Sequence, residues 1–298
     1  MLGLVLALLA GFFLAASFVF LRRGVHLSGE ISSTIPIFAF VGLLFFGIPV
    51  AISGDIAGIT SMSWLAAGSL AGAGVVHFIF GRILGFTSVR LIGANRAVPI
   101  YTTNVIIAVL LGILLLGEAL TVPLLVAVVL VFAGITLISI KGDAGKKQVV
   151  VGESLVKGVL TGLGAALCWG ISPLLVKIGL GELDSPLLAA FVSYAASSIL
   201  IGIWLIAPRN FEKLRRVDRS SLAPVIIAAV AMASAHLLRY YALSYSDLVM
   251  AQPLFSTQGL FVFPLSFLIN RELEAFNMRV VFGALAVVAG VFLIFWTG

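Results

Sequence analysis

The chain has 298 residues, 61% of them hydrophobic and 10% charged, with a mean hydropathy of +1.23. A soluble domain carries roughly 25% charged residues; this one has too few polar side chains to cover a water-facing surface, and disordered chains are more polar still. One cysteine, Cys168, excludes a disulfide scaffold or a multi-cysteine metal centre, and the net charge of +6 has no meaning for partners until the charges are located.

A membrane-spanning helix needs about 20 mostly apolar residues. Ten such runs follow one another along the chain: 2–21, 31–52, 62–84, 91–116, 121–140, 155–179, 186–207, 222–245, 248–269 and 276–297. They predict an all-α polytopic membrane protein with short loops and no room for a soluble domain. No cleavable leader is expected, because no basic residue precedes the first run and it continues into Arg22 and Arg23.

The charges are distributed one-sidedly. Fifteen of the 18 Lys and Arg fall in odd-numbered loops: Arg22 and Arg23, Arg82 and Arg90, four lysines from Lys141 to Lys157, five basic residues from Arg209 to Arg219, and Arg271 with Arg279. The even loops, around Asp55, Glu118, Asp184 and Asp247, hold none. The positive-inside rule then predicts cytoplasmic odd loops and both termini outside. The basic run 208–221 reads as a topology signal, so no nucleic-acid partner is expected.

The chain also repeats itself. AVPIYTTN (97–104) aligns with AQPLFSTQ (251–258), matching Pro99 with Pro253, Tyr101 with Phe255, and Asn104 with Gln258. At the same offset Glu118 falls on Glu272; at a slightly different offset, one helix earlier, HFIFGRILGF (77–86) aligns with HLLRYYALSY (236–245), pairing His77 with His236. Ser17, Arg22 and Gly24 match Ser172, Lys177 and Gly179 in the first helix of each half. The predicted division is a repeat over 1–140, a basic linker over 141–154, and a second repeat over 155–298. Each half has five spans, an odd number, so the second enters the membrane upside down. Inverted repeats place a substrate site near the midplane and permit alternating access.

These features resemble the drug/metabolite transporter superfamily, and within it the ten-helix EamA-type transporters. The five-plus-five arrangement, the prolines 99 and 253 in polar-aromatic stretches, the LGEALT turn (116–121) and Trp169-Gly170 carry the likeness. The resemblance implies a secondary transporter or exchanger of small metabolites, often an exporter of amino acids. It also implies a cavity lined by helices 1, 3, 4 and their counterparts 6, 8, 9.

Polar residues within the spans are costly and usually face a cavity or a partner. Arg96 and Arg239 are candidate anion binders, because a guanidinium presents a fork of donors; the alternatives are snorkelling for Arg96 and stacking on Tyr240 or Tyr241 for Arg239. Asn95, Pro99 and Thr102 share one helical face, and Gln252, Ser256 and Gly259 repeat that spacing. His77 and His236 are candidate proton carriers or neutral interhelical contacts. Trp169, Tyr101, Asn104, Tyr240 and Gln258 complete the candidate substrate-binding set, and Tyr194 is a candidate for a cavity wall or for packing. Pro99 and Pro253 are candidate kinks for gating. Glu118 and Glu272 are expected to cap helix ends, Ser17 and Ser172 to bond between helices, and the pairs Gly68–Gly72 and Gly158–Gly162 to allow close helix approach.

All twelve acids lie in loops or at helix ends. This disfavours a carboxylate-driven exporter of lipophilic cations and an aspartyl protease. No H-E-x-x-H or Walker motif is present, so neither a zinc protease nor an ATPase is expected. No cofactor, metal or enzymatic activity is expected. The predicted function is a monomeric carrier in the cell membrane for a small anionic or zwitterionic metabolite. The alternatives are a flippase of amphiphiles on the same fold and a non-transporting membrane scaffold.

Overall fold

The computed structural model describes residues 1–28, 34–55, 57–139, 153–207, 219–269 and 278–297. These segments are helical and connected by turns. In chain order they are α1 (Leu2–Ser28), α2 (Thr34–Ser53), α3 (Ala57–Ser61), α4 (Trp64–Val75), a π-helical turn (Val76–Gly81), α5 (Arg82–Ile92), α6 (Ala94–Thr102) and α7 (Asn104–Leu116). Then follow α8 (Val122–Ser139), α9 (Glu153–Leu180), α10 (Pro186–Leu205), α11 (Arg219–Tyr245), α12 (Leu248–Phe255), α13 (Gln258–Ile269) and α14 (Met278–Thr297). Ten stretches among them are long and apolar enough to cross a membrane. Large apolar side chains such as Leu114, Leu285 and Phe292 stay exposed, as lipid-facing residues must. The basic linker and most of the run 208–221 lie outside the described residues.

The packing follows the two-fold repeat. The first span packs on the eighth and the sixth on the third; the fourth packs on the sixth and the ninth on the first. The second meets the seventh and the fifth meets the tenth. Adding five to each number maps this set of pairs onto itself, as two inverted five-helix repeats require. Lipid is as apolar as leucine, so helices here associate through close packing and polar bonds. Serines supply many of the bonds between halves: Ser17 Oγ donates to the Ala228 carbonyl at 2.7 Å, Ser88 Oγ to Gly158 at 2.8 Å and Ser193 Oγ to Leu70 at 2.7 Å. A Cβ on Gly158 would overlap Ile92, so that glycine does allow close approach. Gly68 does not behave as its spacing suggests, because a Cβ there meets nothing within 4 Å. The tight glycine of this helix is Gly74, set against the Ser193 backbone.

Two sequence expectations need correction. The third span does not stop at residue 84 but runs from Trp64 to Ile92. Arg82 therefore sits inside a helix rather than in a loop, its guanidinium 5.2 Å over the Phe38 ring and donating to Met232 Sδ at 2.8 Å. The helix survives the charge because aromatic and sulfur neighbours solvate it, and it ends only at Gly93, whose φ of +79° few other residues adopt. In consequence the fourth span starts late: Arg96 lies in the first turn of α6 and is exposed.

Candidate functional site

The prolines do break their helices. Pro99 lies in α6, which gives way to α7 at Thr103; Pro253 lies in α12, which gives way to α13 at Ser256 and Thr257. A proline removes one backbone donor and frees a carbonyl a turn earlier. Local side chains satisfy the neighbouring carbonyls: Thr102 Oγ1 donates to Val98, Thr103 Oγ1 to Ile100, Asn104 Nδ2 to Tyr101 and Thr257 Oγ1 to Leu254, at 2.6–2.8 Å. Thr102 is thus spent on its own helix. The two breaks meet, with Gln252 Nε2 donating to Asn104 Oδ1 at 3.1 Å across the halves.

From this junction the polar network runs into the eighth span. Arg239, 3% exposed, donates from Nη2 to Gln252 Oε1 at 3.1 Å and stacks 4.5 Å over the Phe255 ring. The stacking partner is thus Phe255 of the ninth span rather than Tyr240 or Tyr241. The Arg239 Nε–H is buried without a hydrogen-bond partner, and no carboxylate pairs with the guanidinium among the described residues. A buried charge normally demands a counter-charge. Tyr240 turns away to donate to Ser193 Oγ at 2.7 Å.

One turn earlier on α11, His236 meets His77. Their Nε2 atoms are 3.3 Å apart, and Tyr194 Oη lies 3.0 Å from His236 Nδ1. His77 sits in the π-helical turn, a form that concentrates at functional sites. Its backbone carbonyl accepts from Trp169 Nε1 at 3.2 Å, and Trp169 in turn meets Tyr101 edge to face with ring centroids 5.2 Å apart. Glycines seat this indole: a Cβ on Gly81 or Gly85 would stand 2.5 or 2.7 Å from Trp169 atoms.

The structure therefore brings together His77, Tyr101, Asn104, Trp169, His236, Arg239 and Gln252, drawn from both halves. Ser256 is buried at the second break, and Gln258 follows it with its Oε1 buried and unpartnered. Arg96 lies apart from this cluster, and the Asn95 side chain lies outside the described part of the chain. Arg82 is the residue that sequence reasoning missed. Its signal was present, since it lies five residues after His77 with apolar residues on both sides. Tyr194 and Phe255 join through contacts that no motif announces. A small cavity lies against Arg82, Phe78 and Tyr194, and a cleft of about 450 Å³ lies at the even end, lined by Lys177, Asp184 and Tyr241.

At the even end carboxylates tie the two halves together. Glu118 accepts from the Leu248 and Val249 backbone N–H groups, Ser185 Oγ donates to Asp55 Oδ2 at 3.3 Å, and Ser63 bonds Glu182. The Lys177 ammonium also joins spans there, donating to the Leu243 and Ser246 carbonyls at 3.0 and 2.6 Å.

Comparison with known proteins agrees with this architecture. A crystal structure described only as that of a protein, 15% identical, covers 96% of this chain and 95% of its own with a TM-score of 0.73, a likeness of fold alone. No curated protein matches the chain. The profile of the EamA-like transporter family matches residues 1–140 and again 156–296. Matched by that profile in both halves, the chain belongs to the EamA-like transporter family of the drug/metabolite transporter superfamily, and is an integral membrane transporter.

Proposed function

We propose that the protein carries a small anionic or zwitterionic metabolite, such as an amino acid, by alternating access around the cluster of Arg239, Gln252 and Asn104. The observation that carries this reading is the buried guanidinium of Arg239, which lacks an acid partner and keeps one N–H unbonded. An entering carboxylate or phosphate supplies the missing charge and accepts from the fork. Trp169 and Tyr101, in edge-to-face contact, bring aromatic rings to the first-half break, and an aromatic face accommodates either an apolar body or an ammonium group.

The site is shared between halves, since Asn104 belongs to the first and Gln252 and Arg239 to the second. Rocking one half against the other breaks and remakes the Asn104–Gln252 bond at two discontinuous helices, the arrangement that inverted-repeat carriers use. Glu118, Asp55 and Glu182 hold the even end shut while the odd end opens. On the charge asymmetry the odd ends are cytoplasmic, and we read the protein as a carrier in the cell membrane whose direction follows the gradients across it. The test is flux into proteoliposomes of purified protein with L-glutamate, succinate and glucose 6-phosphate, against protein-free vesicles. Protein-dependent saturable flux of at least one probe is expected. Equal permeation of all three with and without protein overturns the reading.

A further inference from the structure

We propose that His77 and His236 together hold one proton, taken up with the anion at Arg239, so that transport is proton-coupled. This rests on the anion-carrier reading above. Two imidazole nitrogens 3.3 Å apart need one N–H and one lone pair between them. The rings stand at 86° to each other, edge to face, and Tyr194 Oη occupies the far nitrogen of His236. The frame has room for a single extra proton. Either ring can carry it: an imidazolium at His236 donates from Nε2 to His77 and from Nδ1 to the Tyr194 oxygen, and an imidazolium at His77 donates from Nε2 to His236. A second extra proton would set two N–H groups against each other.

The groups facing the pair make that proton depend on substrate. The third span brings Arg82 and Phe78, the eighth Arg239, the seventh Tyr194, the sixth Trp169 and the ninth Phe255, with Tyr101 and Tyr240 one contact further out. Among the described residues none of these is an acid. A lone proton on the pair adds a third positive charge beside two guanidiniums, and an anion at Arg239 removes that penalty. Linkage is reciprocal, so the proton strengthens anion binding by the same factor that the anion strengthens proton binding. Proton and anion enter from one face and leave together at the other.

Two readouts test this separately. The first uses the full chain with Trp64, Trp204 and Trp296 replaced by Phe, leaving Trp169 with its ring 6.4 Å from that of His77. A protonated imidazole quenches a neighbouring indole, so Trp169 emission should fall through one step as pH falls, and His77→Gln and His236→Gln should each abolish the step. A pH-independent signal, or a step unchanged in both variants, overturns the proton pair. The second readout is accumulation of L-glutamate, succinate or glucose 6-phosphate in proteoliposomes with the membrane potential clamped. One proton per anion gives about a tenfold rise in accumulation per pH unit of gradient, inside alkaline. In either histidine variant the ratio with and without gradient should collapse to one. Wild-type flux whose accumulation ignores the gradient defeats the coupling and leaves the carrier reading standing. Absence of flux for all three probes defeats the carrier reading and with it the coupling, and the Trp169 titration then decides the proton pair alone.

Discussion

Glu118, at the end of the fourth span, accepts the backbone N–H of Leu248 at 2.8 Å and that of Val249 at the same distance, capping the first turn of the ninth span from the other half. A carboxylate on the first free N–H groups of a helix satisfies donors that have no intrahelical acceptor and meets the positive end of the dipole. Glu118→Gln turns an amide N–H₂ toward those donors. The expected loss is about 1–3 kcal/mol, read as a thermal midpoint lowered by several degrees in detergent. An unchanged midpoint would show that the bond carries no stability.

The indole of Trp169 depends on two glycines of the third span. Gly85→Val places a branched side chain where a Cβ alone already stands 2.7 Å from the ring. We expect Trp169 to leave its seat, breaking the bond to the His77 carbonyl, with a red-shifted emission in the single-tryptophan protein. Emission identical to that of the parent would contradict the packing described.

Gly74 and Gly68 lie six residues apart on one helix with opposite surroundings. A Cβ on Gly74 overlaps the Ser193 backbone, which has no rotamer to escape into, whereas one on Gly68 meets nothing. Gly74→Ala should sharply reduce folded yield on size exclusion, and Gly68→Ala should leave it within the usual few tenths of a kcal/mol of the parent. Equal yields would contradict the backbone contact between the third and seventh spans.

Orientation has its own check. Moving Arg82 into a span costs the odd side one charge, but Arg96, exposed at the odd end of its helix, restores it. A reporter active only in the cytoplasm, fused at Gly298, should be dark. A bright reporter would reverse the assignment of sides.

How much of this was legible follows from the physics of each signal. Hydropathy is summed over about 20 residues, so ten spans and their order survive local errors. A span boundary rests on one or two residues, which is why Arg82 passed for a loop while the helix ran on to Ile92. The repeat pointed to Pro99 and Pro253, and both helices break there, because loss of a backbone donor is a covalent property of the residue. Partnerships were less legible. Alignment sets Asn104 against Gln258, yet the bond in space runs from Asn104 to Gln252. Arg239 chooses Phe255 over its sequence neighbours for the same reason: side-chain contacts between helices depend on rotation and crossing, which one sequence does not encode locally. The repeat paired His77 with His236 as equivalent positions, but that the two rings meet, with Tyr194 beside them, required coordinates.

The central claim is that Arg239 binds the transported anion. Its most direct test is the concentration dependence of probe uptake by proteoliposomes carrying Arg239→Gln, beside Arg90→Gln as an exposed charge control. Loss of a buried charge-assisted contact should raise the half-saturating concentration at least about tenfold, equivalent to about 1.4 kcal/mol, with folded yield retained and the control near wild type. Half-saturation in Arg239→Gln equal to that of wild type would contradict the account.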